Sequence, residues 1–238
     1  KAATDMGIQQ GSTAVLTITN EETTAAQAQL DSFIEKWKTE GVNALVMAGL
    51  AVSAKQFVEK IKAAIPSMIL ITDATETAGQ AQDEVKAGKN PNPYEGMLSA
   101  SGESSSEHFK TAGVQKCVKT YEQATGERVI PPEELGAGEV GVGAPKRVEV
   151  FIGIQDRCGE LDLFKQIAEK AGANLTNDTW TAAVNGFGKI TLVSTPFASL
   201  HEGKYDADDA LRLVAFDSTI PASGDFKPLT QLKDVGAG

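Results

Sequence analysis

Histidine and cysteine are nearly absent: 238 residues hold two of each. No Cys/His cluster has zinc-site spacing, no G-x-S-x-G elbow marks a serine nucleophile, and no cofactor or metal is expected. Positive charge is also short. Lys and Arg total 22 against 32 Asp and Glu, giving a formal charge of −10 and a pI near 4.8. Such a surface repels phosphate backbones, which excludes nucleic acid as the natural partner. No run approaches the roughly 20 apolar residues needed to cross a bilayer. Nor does the start read as a leader: Lys1 is followed by Ala-Ala-Thr-Asp instead of a greasy segment. The opening "KAATDMGIQQGS" reads as the inside of a helix, so an arbitrary cut or a processing site is expected there.

The remaining composition is that of a globular chain, 41% hydrophobic, with real cores. "TAVLTIT" over 13–19 is β-branched and apolar, as in a strand. Thr24 and Gln27 have capping-box spacing, Leu30, Phe33, Ile34 and Trp37 recur at helical intervals, and Gly41 stops the run. Residues 42–48 read as a strand apolar on both faces, as in a covered parallel sheet. Ser53 and Gln56 open a helix with Phe57, Val58, Ile61 and Ile65 on its buried stripe; Pro66 marks its end. "MILIT" over 68–72 is a third strand. The β-α-β-α-β order predicts right-handed crossovers and a parallel sheet.

The polar stretch 78–93, ending in Asn-Pro-Asn-Pro, reads as a loop before the short strand "YEGMLSAS". Spacing then predicts a helix over 106–125, with Phe109, Ala112, Cys117, Val118 and Tyr121 on one side. A Pro- and Gly-rich excursion follows over 127–147. A helix covers much of 149–171, with Cys158, Leu161, Phe164, Ile167, Ala168 and Ala171 facing inward. A shorter helix is expected near 179–187, and "ALRLVAFD" over 210–217 alternates like a strand. Cys117 and Cys158 admit two readings, a pair of buried thiols or a disulfide in an oxidising compartment.

Ligands of open parallel sheets bind beyond the carboxyl ends of the strands. The turns after 42–48 and 68–72 are therefore the candidate site. Gly49, Leu50 and Ala51 are small enough to admit a ligand to the backbone. Thr72, Asp73, Ala74, Thr75 and Glu76 form an oxygen-rich segment. A carboxylate there can pair with an ammonium, and threonines with free N–H groups can hold a carboxylate. The bland alternative is that Asp73 or Thr75 caps the next segment. Other motifs weigh less. "GAGEVG" at 136–141 matches G-x-G-x-x-G but lacks the preceding strand and following helix. "YDADDA" at 205–210 lacks the glycine and distal glutamate of a calcium loop and reads as a solvated acidic turn. The serine run 104–106 before His108 reads as a helix N-cap, and His201 falls in a loop. Trp37 and Trp180 fit helix core stripes. Asn174 and Asn177 sit in N-x-T sequons, which matter only in a glycosylating pathway.

In their order, the stretches 26–73, 107–129, 158–188 and 203–217 resemble the type I extracellular solute-binding proteins of ABC importers, the branched-chain-amino-acid-binding kind. "EHFKTAGVQKCVKTYEQATGERV" resembles the long helix after the crossing back to the first lobe. "CGELDLFKQIAEKAGANLTNDTW" resembles the paired helices that follow, and "GKYDADDALRLVAFD" the last return to the second lobe. Actinobacterial members are the most similar. The resemblance implies a doubly wound α/β second lobe over 1–98, a helical part of the first lobe over 99–190, and a return with the closing strand over 191–238. It also implies that a first-lobe sheet and the opening strand of the second lobe belong ahead of Lys1.

The function implied is capture of a small polar solute, such as an amino acid or amide, between two lobes. Delivery is to a membrane permease, without chemistry. The protein is then extracytoplasmic and lipid-anchored. Second-lobe contacts fall on Gly49, Leu50, Ala51, Thr72, Asp73, Ala74, Thr75 and Glu76, with Leu50 standing where members often carry an aromatic. Secretion in the family favours a Cys117–Cys158 disulfide. Two rivals are a sensor domain of the same fold and a doubly wound enzyme using Asp73 or Glu76 as base.

Overall fold

Leu30, Ile34 and Trp37 lie one turn apart and are buried together on the first described helix, α1 (Thr23–Glu40), which Gly41 ends at φ 69°. The structure, a computed structural model, describes residues 7–16, 23–48, 54–134, 146–220 and 224–236. After α1 come β1 (Ala44–Val46), α2 (Ala54–Ala64), β2 (Ile69–Ile71), α3 (Ala74–Lys86) and β3 (Leu98–Ser101). Then follow α4 (Ser105–Lys110), α5 (Ala112–Thr125), α6 (Lys146–Ala171), α7 (Asn177–Asn185), β4 (Gly188–Leu192), β5 (Thr195–Leu200), β6 (Ala210–Asp217), β7 (Asp225–Pro228) and β8 (Lys233–Asp234). The fold is mixed α/β with a mostly parallel central sheet, in the order β1-β2-β3-β6-β7; β8 pairs antiparallel with β6.

The chain divides into two compact units: residues 1–99 with 215–227, and residues 100–214 with 228–238. In the first, β1 and β2 are parallel and in register, Leu45 opposite Leu70 and Val46 opposite Ile71. Two crossovers advancing in one direction across β1-β2-β3 place α2 and α3 on the same face. The core forms there, from Leu30, Ile34, Trp37, Phe57, Ile61 and Leu70, with Leu45 packed against it. The other face is open: Val46 is 72% exposed and Ile69 44%. This corrects the expectation of a strand covered on both sides, because all three helices bury their stripes against the Leu45–Leu70 side.

The stretch expected to be a loop after residue 77 is helix α3 up to Lys86. Its inner face is Thr77, Ala81 and Glu84, one turn apart and buried. Two of the three are polar, so no apolar stripe announces the helix. Glu84 is tolerated because Lys55 of α2 contacts its carboxylate. Residues 13–16 show no strand pairing, although Ala14 and Leu16 pack on the core; 17–19 lie outside the described residues.

In the second unit the single helix expected over 106–125 is two. Thr111 is extended (φ −70°, ψ 142°), closing α4 and capping α5 through its hydroxyl. Ser104 caps α4 in a capping box with Glu107, as the serine run foretold. The β4–β5 hairpin was not foreseen. Its turn wedges between α5 and α6, at two glycines: a Cβ on Gly113 would lie 2.7 Å from Val193 Cβ, and one on Gly159 would lie 2.7 Å from Ser194 Oγ. Helix α6 packs through Phe151 and Ile154 at one end and Leu163 and Ile167 at the other. Leu161 (68% exposed) and Phe164 (56%) therefore point outward, against expectation, as does the exposed Ala112 of α5.

Candidate functional site

Strand register decides what shares the sheet edge in the first unit. Val46, Ile71 and Leu98 are neighbours across three strands. The ladder ends with Met47 N–H donating to Ile71 O (2.8 Å) and Thr72 N–H donating to Leu98 O (3.0 Å). The segments leaving β1 and β2 therefore start from one rim. Helices α2 and α3 run back along the strands, so their N-termini point to that same rim. The first N–H groups of each helix have no intrahelical acceptor, and the helix dipoles add partial positive charge there.

Thr72 is half-buried and Asp73 exposed, between β2 and α3. The Asp73 carbonyl accepts from Thr77 N–H (3.4 Å) and from Thr77 Oγ1 (2.6 Å). Asp73 thereby starts the helix through its backbone, and the buried Thr77 pins the turn to α3. Ala74, Thr75 and Glu76 form the opening turn of α3. Gly49, Leu50 and Ala51 lie outside the described residues, as do Ser53 and the "GAGEVG" segment. What the described part offers is an anion-seeking helix terminus beside a carboxylate, the donor set that suits an ammonium–carboxylate pair.

The two histidines and the acidic turn have partners of their own. His108 Nε2 faces Glu103 Oε2 at 3.4 Å, and His201 Nδ1 lies 2.9 Å from Glu202 O. The acidic turn 205–210 is solvated only in part: Asp206 and Asp208 are exposed, but Asp209 is buried. Asp209 is 2% exposed and pairs with Lys204 at 3.1 Å, while Asp208 Oδ1 accepts from Thr195 Oγ1 at 2.7 Å. These carboxylates anchor the entry into β6. No group of three or more metal-ligating side chains comes together among the described residues. Cys117 of α5 and Cys158 of α6 stand at disulfide distance, Cα to Cα 6.3 Å.

Sequence reasoning missed the pair formed by Glu107 and Arg212. The two terminal guanidinium nitrogens donate to the carboxylate, Nη1 to Oε1 at 2.8 Å. The residues are 105 positions apart, so no local pattern could have shown it. The Arg212 guanidinium, then the Ser104 backbone and hydroxyl, hold the Glu107 carboxyl down at about 2. The small unit-two cleft beside the hairpin, about 450 Å³ and walled by Glu103, Thr111, Asp162 and Val193, was likewise invisible in the sequence.

No family model and no curated protein matches the sequence. Solved structures share the fold. The crystal structure of a branched-chain amino acid ABC transporter from Thermus thermophilus with bound valine matches with a TM-score of 0.54 and 14% identity. It covers 98% of this chain and 55% of that one. A leucine-binding protein from Thermotoga maritima matches with a TM-score of 0.53 and 14% identity, over 94% of this chain and 52% of the other. The chain thus spans about half the length of these structures. At this identity the likeness establishes the fold.

Proposed function

We propose that the chain is part of the solute-binding component of an ABC-type importer. It captures a small polar solute between two lobes and passes it to a membrane permease without chemical change. The observation that carries this reading is the shared rim: two strand exits and two helix N-termini converge where Thr72 and Asp73 sit. The Asp73 carboxylate pairs with an ammonium, and the α3 N-terminus over Ala74–Glu76 receives a carboxylate. Gly49, Leu50 and Ala51 are proposed as further solute contacts. Solutes of this class include the aliphatic amino acids named for the two structural relatives, and amides of similar size.

On the same reading 1–98 belongs to the second lobe and 99–190 to the first, and the chain returns to the second lobe within 191–238, where residues 215–227 join the first compact unit. The protein works outside the cytoplasmic membrane, lipid-anchored in its complete form, where a Cys117–Cys158 disulfide is maintained. Among the described residues no helix is long and apolar enough to cross a membrane. Thermal-shift screening of the protein against amino acids, amides and small organic acids tests the assignment. Stabilisation by one of them, lost in Asp73→Asn, is expected. Turnover of a solute without stabilisation by any would overturn it in favour of an enzyme.

A further inference from the structure

The first unit has a second opening, at the sheet edge opposite Thr72 and Asp73. Helix α2 ends at Ala64 and β2 starts at Ile69, so Pro66 lies where the strands enter; the segment ahead of β3 (Leu98–Ser101) enters at the same edge. A cleft of about 620 Å³ opens there, within the range that holds small ligands. One wall is apolar, built by Ala63, Pro66, Pro91 and Pro93.

The charged side chains of this cleft are unequally satisfied. Glu59 meets Lys89 at 3.5 Å, and Glu95 Oε2 accepts from Ser218 N–H at 2.9 Å. Asn92 is buried, with Nδ2 donating to Ala81 O (3.1 Å) and Oδ1 accepting from Tyr94 N–H (2.9 Å), so this part of the lining is fixed. Lys62 differs. Its ammonium donates to Met68 O (2.9 Å) and Pro66 O (3.4 Å) and pairs with no carboxylate among the described residues. Of three N–H donors, one is left over. Burial holds this lysine below the usual lysine range, as expected of an ammonium with no counter-ion to offset its desolvation.

We propose that this cleft is a second binding site, distinct from the solute rim, for a carboxylate carried on a short apolar stem. The carboxylate sits on Lys62 Nζ and the stem lies on the proline wall. A free organic acid and the C-terminus of a peptide present the same chemistry.

Carbon NMR of the lysine side chains in the full chain tests the site, with butyrate, an N-acetylated Ala-Pro dipeptide, and the amide of each as probes. The carboxylates are expected to shift the Lys62 signals with a dissociation constant on the order of 1 mM, and the amides are not. Lys62→Met should weaken binding about tenfold or more, Lys62→Arg should retain it, and Asp73→Asn should leave it unchanged. The last variant separates this site from the solute rim. Tighter binding of the dipeptide than of butyrate assigns a peptide terminus; the reverse assigns a free acid. Equal effects of acids and amides, unchanged binding in Lys62→Met, or no response at ~10 mM overturns the proposal.

Discussion

Glutamine in place of Glu107 removes one negative charge from beneath a nearly buried guanidinium and leaves the rest of the site in place. Glu107 serves two elements at once: it closes the capping box of α4 and grips Arg212 of β6 with both oxygens. Glutamine at the third helical position still serves the box, so Glu107→Gln isolates the charge. The carboxyl sits at about 2 in the folded protein against 4.5 free. At about 1.36 kcal/mol per pH unit the linkage has a ceiling of ~3.4 kcal/mol. The Glu107 side chain is 42% exposed, so water screens the pair, and about 1–2 kcal/mol is expected. Arg212, only 9% exposed, pulls toward the upper figure because its charge loses its partner.

The sign follows from the depressed pKa. This stability is fully present above 4.5 and is lost as pH falls toward 2. Urea unfolding of wild type and Glu107→Gln, followed by tryptophan fluorescence at about pH 7, 5 and 3, should show a gap that is constant from 7 to 5 and roughly halved near 3. A gap independent of pH, or no gap near neutrality, would refute the argument that the ion pair accounts for the held-down carboxyl.

Thiol titration of the unfolded, unreduced protein should find no free thiol, because Cys117 of α5 and Cys158 of α6 stand at disulfide distance. Removing that cross-link, whose sequence separation is 41, should cost about 4 kcal/mol in the loop-entropy account, read as a lower urea midpoint with reductant. Lys204→Met strands the buried Asp209 carboxylate and should cost roughly 3–5 kcal/mol; the Asp209→Asn double variant should recover part of it in a double-mutant cycle.

The parts of the fold legible in the sequence were those where local periodicity and burial agree. Leu30, Ile34 and Trp37 announced α1, and the alternation of 210–217 gave the bounds of β6. Legibility failed where burial is polar or partners are distant. Helix α3 hides because Thr77 and Glu84 stand where apolar residues would mark a stripe, and Glu84 is acceptable only through Lys55 on another helix. Leu161 and Phe164 have the right spacing to face inward, yet α6 uses neighbouring residues for its contacts; period alone does not choose between two adjacent apolar faces. The β4–β5 hairpin depends on Gly113 and Gly159, whose meaning appears only when Val193 and Ser194 approach them.

The same distinction separates the two proposed sites of the first unit. The rim at Thr72 and Asp73 was readable because strand order alone puts the exits of parallel strands on one edge. The Lys62 cleft was not, because what marks it is a missing counter-ion, and a lysine on an amphipathic helix looks the same in sequence whether its partner is a carboxylate or two carbonyls. Desolvation without compensation is a property of three dimensions, and a lysine held that way at a proline-walled opening is poised to accept an anion.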